Sequence, residues 1–462
     1  MSSVLRRGYL GILVLLQAFA TCGLSDRVRK GIRVDEQRLV DQIRHLARFS
    51  DDPNPAVTRI LFTENDVLAR KYIISLMEDI GLDVHSDAMG SIVGTWMPDS
   101  EGSHPAQASV MTGSHCDAIP LAGSYDGTVG VLGGIEAVRA LKSAGFVPNR
   151  PIQVIMFTSE EPTRFGLSCI SSRAMAGALS PKELSHLQDS SGIGFMQAAR
   201  DAGYQADEIQ SEYDIIRNVS SYSISSFVEL HIEQGPELEA LDVDIGVVTA
   251  IAAPSAFFVS FQGEGGHAGA LLMKNRHDAS LAAAELALEV EKAVVSTGSH
   301  DIVGTVGKWK ISPGAINSVP RSAELEIDIR DPDPDRRSKV IHQVKEAAER
   351  IASRRGVVYE IKTLSLDPPG ISSNRIVEIV ESAASHYNLS SRRMISRAYH
   401  DSLFMAQISE MGMIFIPSKG GKSHRPDEFT APHLIRQGVT VLAYTLGELA
   451  GESSATVSRT EL

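Results

Sequence analysis

Gly113-Ser114-His115-Cys116-Asp117-Ala118, continued by Gly123-Ser124-Tyr125-Asp126-Gly127, is the stretch around which the chain is organised. An apolar run at 108–111 precedes it and reads as a buried strand. Val131, Leu132, Ile135, Val138 and Leu141 follow it at helical spacing. His115 and Asp126 therefore lie on loops beyond a strand end, where an open α/β sheet binds its ligands. The next apolar strand, 152–157, runs into Thr158-Ser159-Glu160-Glu161. Adjacent carboxylates at one strand end repel each other unless a cation lies between them. Either segment alone could be an ordinary polar loop; the two in succession point to a metal site.

Further along, a strand at 227–231 ends in His231 and continues as Ile232-Glu233-Gln234-Gly235-Pro236. Towards the C-terminus, strand 412–416 leads to Gly420-Gly421-Lys422-Ser423-His424 and a closing helix over 434–449. Between these the pattern changes. Strands at 257–261, 302–308, 323–330 and 357–361 alternate with a helix over 278–294 and another bearing Val340, Ile341, Val344, Ala348 and Ile351 on one face. That order predicts a small α+β domain with its helices on one sheet face, closed by the turn Asp367-Pro368-Pro369-Gly370. The expected organisation is an α/β domain made of residues 34–250 and 367–452, interrupted by the smaller domain at 251–366. Residues 34–105 read as helical packing ahead of the first core strands, and 180–222 as an exposed helical excursion.

With 462 residues, 43% apolar and 22% charged, the chain is of the globular class and long enough for a large core. A net charge of -13 argues against nucleic acid and against a general membrane-surface role. Arg6 and Arg7, an apolar run over 8–20 and small residues through Gly23 form the pattern of a secretory signal peptide. The run is short for a membrane span, although an uncleaved anchor is the alternative. Residues 1–23 are thus expected to be removed, leaving no membrane attachment, on a route to the endoplasmic reticulum lumen. Arg459-Thr460-Glu461-Leu462 loosely resembles a retention signal, departing from it at the first two positions. Asn218-Val219-Ser220 and Asn388-Leu389-Ser390 match the N-glycosylation pattern. With Cys22 in the leader, Cys116 and Cys169 allow one disulfide at most.

His115, Asp126, Glu161, His231 and His424, with Glu160 alongside, offer imidazole and carboxylate without thiolate. Such ligands suit zinc, manganese, cobalt or nickel. Two ions sharing one carboxylate lower the pKa of a bridging water towards ~7. A neighbouring carboxylate can take that proton and pass it to a leaving nitrogen. Glu160 and Glu161 are consecutive on an extended segment and point in opposite senses, so one can bind metal while the other faces the water.

Gly113-Ser114-His115, Tyr125-Asp126-Gly127, Glu160-Glu161-Pro162-Thr163-Arg164-Phe165, Leu230-His231-Ile232-Glu233-Gln234-Gly235 and Ser423-His424 resemble, in the same order, the metallopeptidase-related amidohydrolases. That group includes allantoate amidohydrolases and N-carbamoyl-L-amino-acid hydrolases. The resemblance covers nearly everything after about residue 36. Residues 396–417 are most similar to a plant branch acting on ureidoglycolate, with Tyr399-His400-Asp401-Ser402 where allantoate enzymes have Gly-His-Asp-Ala.

The resemblance implies a mixed-sheet dinuclear metallohydrolase domain interrupted by a lid and dimerisation domain. It implies two divalent ions per subunit, manganese in the plant enzymes: His115, Asp126 and His231 on one, Asp126, Glu161 and His424 on the other, with Glu160 as general base. His267, in Gly265-Gly266-His267-Ala268-Gly269, is implied to reach the partner subunit's site in a homodimer and stabilise the oxyanion there. Asn317 and Arg330 are implied to hold a substrate carboxylate, and His231, Gln234, Tyr399 and His400 to complete the polar contacts. Arg330 also ends a strand, where its planar fork suits a carboxylate. The implied reaction is hydrolysis of the ureido group of (S)-ureidoglycolate. Allantoate, ureidoglycine and N-carbamoyl-L-amino acids are the alternative substrates. An inactive ureide-binding module is the non-enzymatic alternative, disfavoured because a binder needs no base at Glu160.

Overall fold

The computed structural model describes residues 24–98, 108–218 and 224–451. The expected signal peptide, Cys22, the C-terminal tetrapeptide and most of the first glycosylation motif lie outside the described residues. Among the described residues no helix is long and apolar enough to cross a membrane.

A nine-stranded mixed sheet dominates the fold. At its centre the strands Glu410–Ile416, Ile224–Ile232, Ser109–Ser114 and Ile152–Met156 lie side by side and parallel. Each is buried on both faces almost throughout, which is why their sequences read as continuous apolar runs instead of alternating ones. One face is covered by the helices Thr128–Ser143, Pro432–Gly451 and Glu36–Leu46, whose apolar residues join Val110, Val228, Leu230 and Ile414 in the main core. The other face, with Met111, Ile155, Phe227 and Phe415, is covered by the short helices Ile170–Met175 and Ser402–Met405. Because the central strands are parallel, all four deliver their following loops to one edge. That edge is the site.

Two segments differ from expectation. Residues 34–105 do contain the helices Glu36–Leu46 and Glu64–Asp79, but also two sheet strands, Asp83–Ser86 and Ile92–Trp96. These pair antiparallel at the sheet margin, where one is nearly all exposed and the other is buried for three residues, so neither carries a clear alternation or a long apolar run. The described part of the excursion, residues 180–218, is helical but not simply exposed. Leu184, Phe195, Ala198 and Ile209 are buried with Leu61, Phe62, Phe165 and Ile170 in a minor core.

The interrupting segment builds a separate four-stranded antiparallel sheet, in the order Val303–Ser312, Ser322–Arg330, Pro254–Gln262, Val358–Leu366. Strand Ser322–Arg330 alternates strictly: Ala323, Leu325, Ile327 and Ile329 face the helices Ala279–Val295 and Pro334–Arg355. Asp278 and Asp333 cap those helices, each accepting from two first-turn amides. The opposite sheet face presents Glu326, Asp328 and Arg330 to a cavity of about 480 Å³ that Lys308 and Arg397 also line.

Candidate active site

His115 directly follows the strand Ser109–Ser114 and is 2% exposed. Its Nδ1–H donates to the Asp117 carbonyl at 3.0 Å, which leaves the Nε2 lone pair free. His231, near the end of strand Ile224–Ile232, repeats this: Nδ1–H donates to the Ile232 carbonyl at 2.8 Å, and Nε2 accepts from the Gly127 amide at 3.2 Å. Asp126 enters from the turn before helix Thr128–Ser143. Its Oδ1 lies 3.0 Å from His231 Nε2 and 3.8 Å from His115 Nε2. That oxygen is buried and has no hydrogen-bond donor. His115 Nε2, His231 Nε2 and Asp126 Oδ1 thus converge within 4.8 Å of one another, an arrangement that fits a cation in place of the Gly127 contact. Gly127 permits it: φ is +61°, and a Cβ there would lie 2.4 Å from His115 Nε2.

The other oxygen of Asp126 faces a second group. His424 Nε2 is 3.0 Å from Asp126 Oδ2 and 3.3 Å from Glu161 Oε1. The ligand atoms of His115, Asp126 and His231 lie within 4.8 Å of one another, as do those of Asp126, Glu161 and His424. Asp126 is common to both groups, and the donor set of imidazoles and carboxylates fits two divalent cations. Burial alone would lower the His115 pKa, yet the carboxylates of Glu160, Asp117 and Asp126 hold it well above the ordinary value. The field at this point favours positive charge. A third grouping, Glu229 with His231 and His400, is already committed: Glu229 accepts from Ser114 Oγ at 2.6 Å and from Ser402 Oγ at 2.5 Å.

Glu160 is buried on the same rim, with Oε2 3.7 Å from His115 Nε2 and Oε1 accepting from Cys169 Sγ at 3.5 Å. Burial, and then Glu161 and other carboxylates against the opposing pull of His115, push its pKa well above the ordinary glutamate value. A carboxyl so placed, beside the ligand groups, can take up and return a proton. Glu161 faces His424 instead, so the consecutive carboxylates do address different partners. Both Cys116 and Cys169 are buried free thiols.

Asp117 has a role that sequence reasoning missed. Its carboxylate accepts from the amides of Glu160 at 3.3 Å and Glu161 at 3.1 Å, and lies 3.6 Å from His115 Nδ1. It fixes both the first imidazole and the acidic turn. Its position two residues after His115 was the available signal. Glu428, four residues after His424, was missed in the same way and joins the loops of Asp126 and His424.

The expected substrate contacts fall in several places. Gln234, at φ +58°, donates from Nε2 to Asp126 Oδ2 at 2.8 Å. His400 is buried edge-on to the His231 ring at 4.5 Å, with Nε2 2.9 Å from Ser396 Oγ. The Tyr399 hydroxyl is engaged at the domain junction by Arg173 and Asp367. Arg330 lines the large cavity; its Nε and Nη2 donate to Asp328 Oδ2 and its Nη1 to the Arg397 carbonyl. His267 and Asn317 occupy an exposed corner of the small domain, where the Asn317 carbonyl accepts from the Ala268 amide. His267 Nδ1 accepts from the amides of Gly269 at 3.1 Å and Ala270 at 3.2 Å. Its proton therefore sits on Nε2, which points outward as a donor.

The family model for peptidase family M20/M25/M40 matches residues 111–448. The ureidoglycolate hydrolase of Arabidopsis thaliana is 50% identical over 432 residues, covering 92% of this chain and 89% of the relative. The ureidoglycolate hydrolase of Oryza sativa subsp. japonica is 51% identical over 419 residues, covering 90% and 85%. The crystal structure of AtUAH in complex with (S)-hydroxyglycine superposes with a TM-score of 0.78 at 49% identity, covering 92% of this chain and 99% of that one.

Proposed function

The chain belongs to peptidase family M20/M25/M40, and from that membership and the two-lobed cluster around Asp126 we propose that it hydrolyses the ureido C–N bond of (S)-ureidoglycolate in purine catabolism. Water adds to the carbamoyl carbon, ammonia and carbon dioxide leave, and the remaining hydroxyglycine decays to glyoxylate and a second ammonia. The observation that carries the reading is the buried Asp126 carboxylate, which presents one oxygen to each ligand group with Glu160 on the rim. The (S)-hydroxyglycine in the AtUAH crystal structure is the species this route would leave.

His115, Asp126 and His231 would hold one divalent ion and Asp126, Glu161 and His424 another. When bound, such ions acidify water and polarise the carbamoyl oxygen. Glu160 accepts the proton of the attacking water and returns it to the departing nitrogen. Arg330 turns its fork from Asp328 to the substrate carboxylate, with Asn317 beside it. Manganese is our choice of ion, on the likeness to the plant enzymes.

We place His267 in the site of a second copy. Its exposed position, the Nε2–H, the exposed apolar side chains of Leu272 and Met273 nearby in sequence and that of Ile316, two residues before the Ser318 that pairs with His267, support this reading. So does the exposed row Leu281, Leu288 and Val295 on helix Ala279–Val295, which offers apolar surface to a homodimer contact. Delivery to the endoplasmic reticulum lumen rests on the pattern of residues 6–23.

The test is an activity panel on metal-stripped protein after return of manganese, zinc, cobalt or nickel. Ammonia release should be fastest, as kcat/KM, from (S)-ureidoglycolate. A higher value for allantoate, ureidoglycine or an N-carbamoyl-L-amino acid would overturn the assignment.

A further inference from the structure

Glu428 is 5% exposed, lies before helix Pro432–Gly451, and spends both carboxylate oxygens on two loops from opposite ends of the chain. Its Oε1 accepts from the amides of Tyr125 at 2.8 Å and Asp126 at 3.1 Å. Its Oε2 accepts from Ser423 Oγ at 2.9 Å and the His424 amide at 3.3 Å. Ser423 Oγ also lies 3.0 Å from Asp126 Oδ2, drawing the loops together a second time. Gly123 makes the approach possible, since a Cβ there would sit 2.3 Å from Glu428 Cβ and 2.4 Å from Oε1.

The two halves of the cluster depend on this clasp unequally. His115 and His231 are buried beside central strands and are oriented by the backbone carbonyls of Asp117 and Ile232. Of this half Glu428 touches only the shared Asp126, through its backbone amide. His424 is different: its side chain is 45% exposed and its backbone is held at φ +58° in an irregular loop. A non-glycine residue keeps such a conformation only where its surroundings impose it. Glu428 takes its amide, and Ser423 beside it is bonded to the same oxygen.

We propose that Glu428 is a positioning residue that assembles the Asp126/Glu161/His424 half of the centre, and so sets the affinity of that half for its ion separately from the His115/Asp126/His231 half. The proposal rests on the two-ion reading above. A carboxylate suits the place because it only accepts, and all four neighbours donate. Glutamine would keep one oxygen for Tyr125 and Asp126 but turn an N–H towards the His424 amide. Alanine would leave the loops unfastened.

The test titrates the metal-stripped full chain with Co²⁺, read by visible absorption and by metal analysis after gel filtration. The wild type, E428Q, E428A and G123A are compared, with circular dichroism as a check on folding. The wild type should take two ions per chain. In E428A and G123A the first ion should bind within about two-fold of the wild type and the second about 10- to 100-fold more weakly, with E428Q between. G123A retains the carboxylate while displacing it, so it decides the matter even if E428A does not fold. An unchanged second affinity, or equal loss of both ions in a folded variant, overturns the proposal. A wild type that takes one ion would instead bring down the two-ion reading itself, and the clasp with it.

Discussion

Arg173 and Asp367 join the segment that follows Glu160 to the domain junction by two near-parallel contacts, Nη1 to Oδ1 at 2.9 Å and Nη2 to Oδ2 at 2.8 Å. Arg173 lies on the short helix that follows Cys169, and Asp367 is the first residue beyond the last strand of the small domain. The guanidinium also lies over the Phe404 ring, 4.3 Å from its centroid. Both side chains are mostly buried, so removing one strands the other. Asp367→Ala should cost about 3 kcal/mol of stability. A denaturant double-mutant cycle with Arg173→Ala should show strong coupling; simple additivity would mean that the pair does not act as a unit.

Glu160→Gln should bind metal as the wild type does and lose roughly 100- to 10,000-fold in turnover. Glu161→Ala should lose metal occupancy as well. Metal analysis alongside kcat separates the two, and near-normal turnover in Glu160→Gln would remove it from the role of base.

Arg330→Lys keeps the charge and loses the fork, so KM for (S)-ureidoglycolate should rise roughly 10- to 100-fold with a smaller change in kcat. A ureide without a carboxylate serves as the control. Equal loss on that control would show that Arg330 supports the fold or the small-domain cavity instead of reading the substrate.

Neither half of the cluster lies far from its own strand in sequence, and this explains what was legible. His115, Glu160 and His231 each come at or shortly after the end of a doubly buried strand, whose continuous apolar run announces itself. The small domain was equally readable, because Ser322–Arg330 alternates without a fault and its helices keep one apolar face. Strands Asp83–Ser86 and Ile92–Trp96 were not, since a short marginal strand has too few buried positions to set a period. Asp117 and Glu428 were overlooked for another reason. Each is a single acid in a loop, and only the folded chain shows that its carboxylate receives the amides of residues remote in sequence.

Mixing His267→Ala chains with Glu160→Gln chains tests the shared site. Each homodimer should be inactive, whereas an exchanged dimer would contain one site with both residues intact and recover up to about half of wild-type activity. Exchange without recovery would place His267 in its own chain's site or outside catalysis.

The mature protein is expected to begin beyond about residue 23. N-terminal sequencing of material from its native cells decides this, and an intact Met1 on protein lacking sugar at Asn388 would contradict the secretory route.

The strand Glu410–Ile416 lies inside the large sheet, between Ile224–Ile232 and Ile245–Ile251, although it is the last of the sheet's strands in the chain. A ribosome delivering this protein must therefore release both flanking strands, and the whole small domain, before the gap between them can be filled. His424 follows that strand, so the centre closes only after nearly all of the polypeptide has been made. A nascent chain halted in the small domain can be richly folded and still lack this imidazole. On the two-ion reading, full metal loading would then be a record of completed synthesis, acquired at the end of folding.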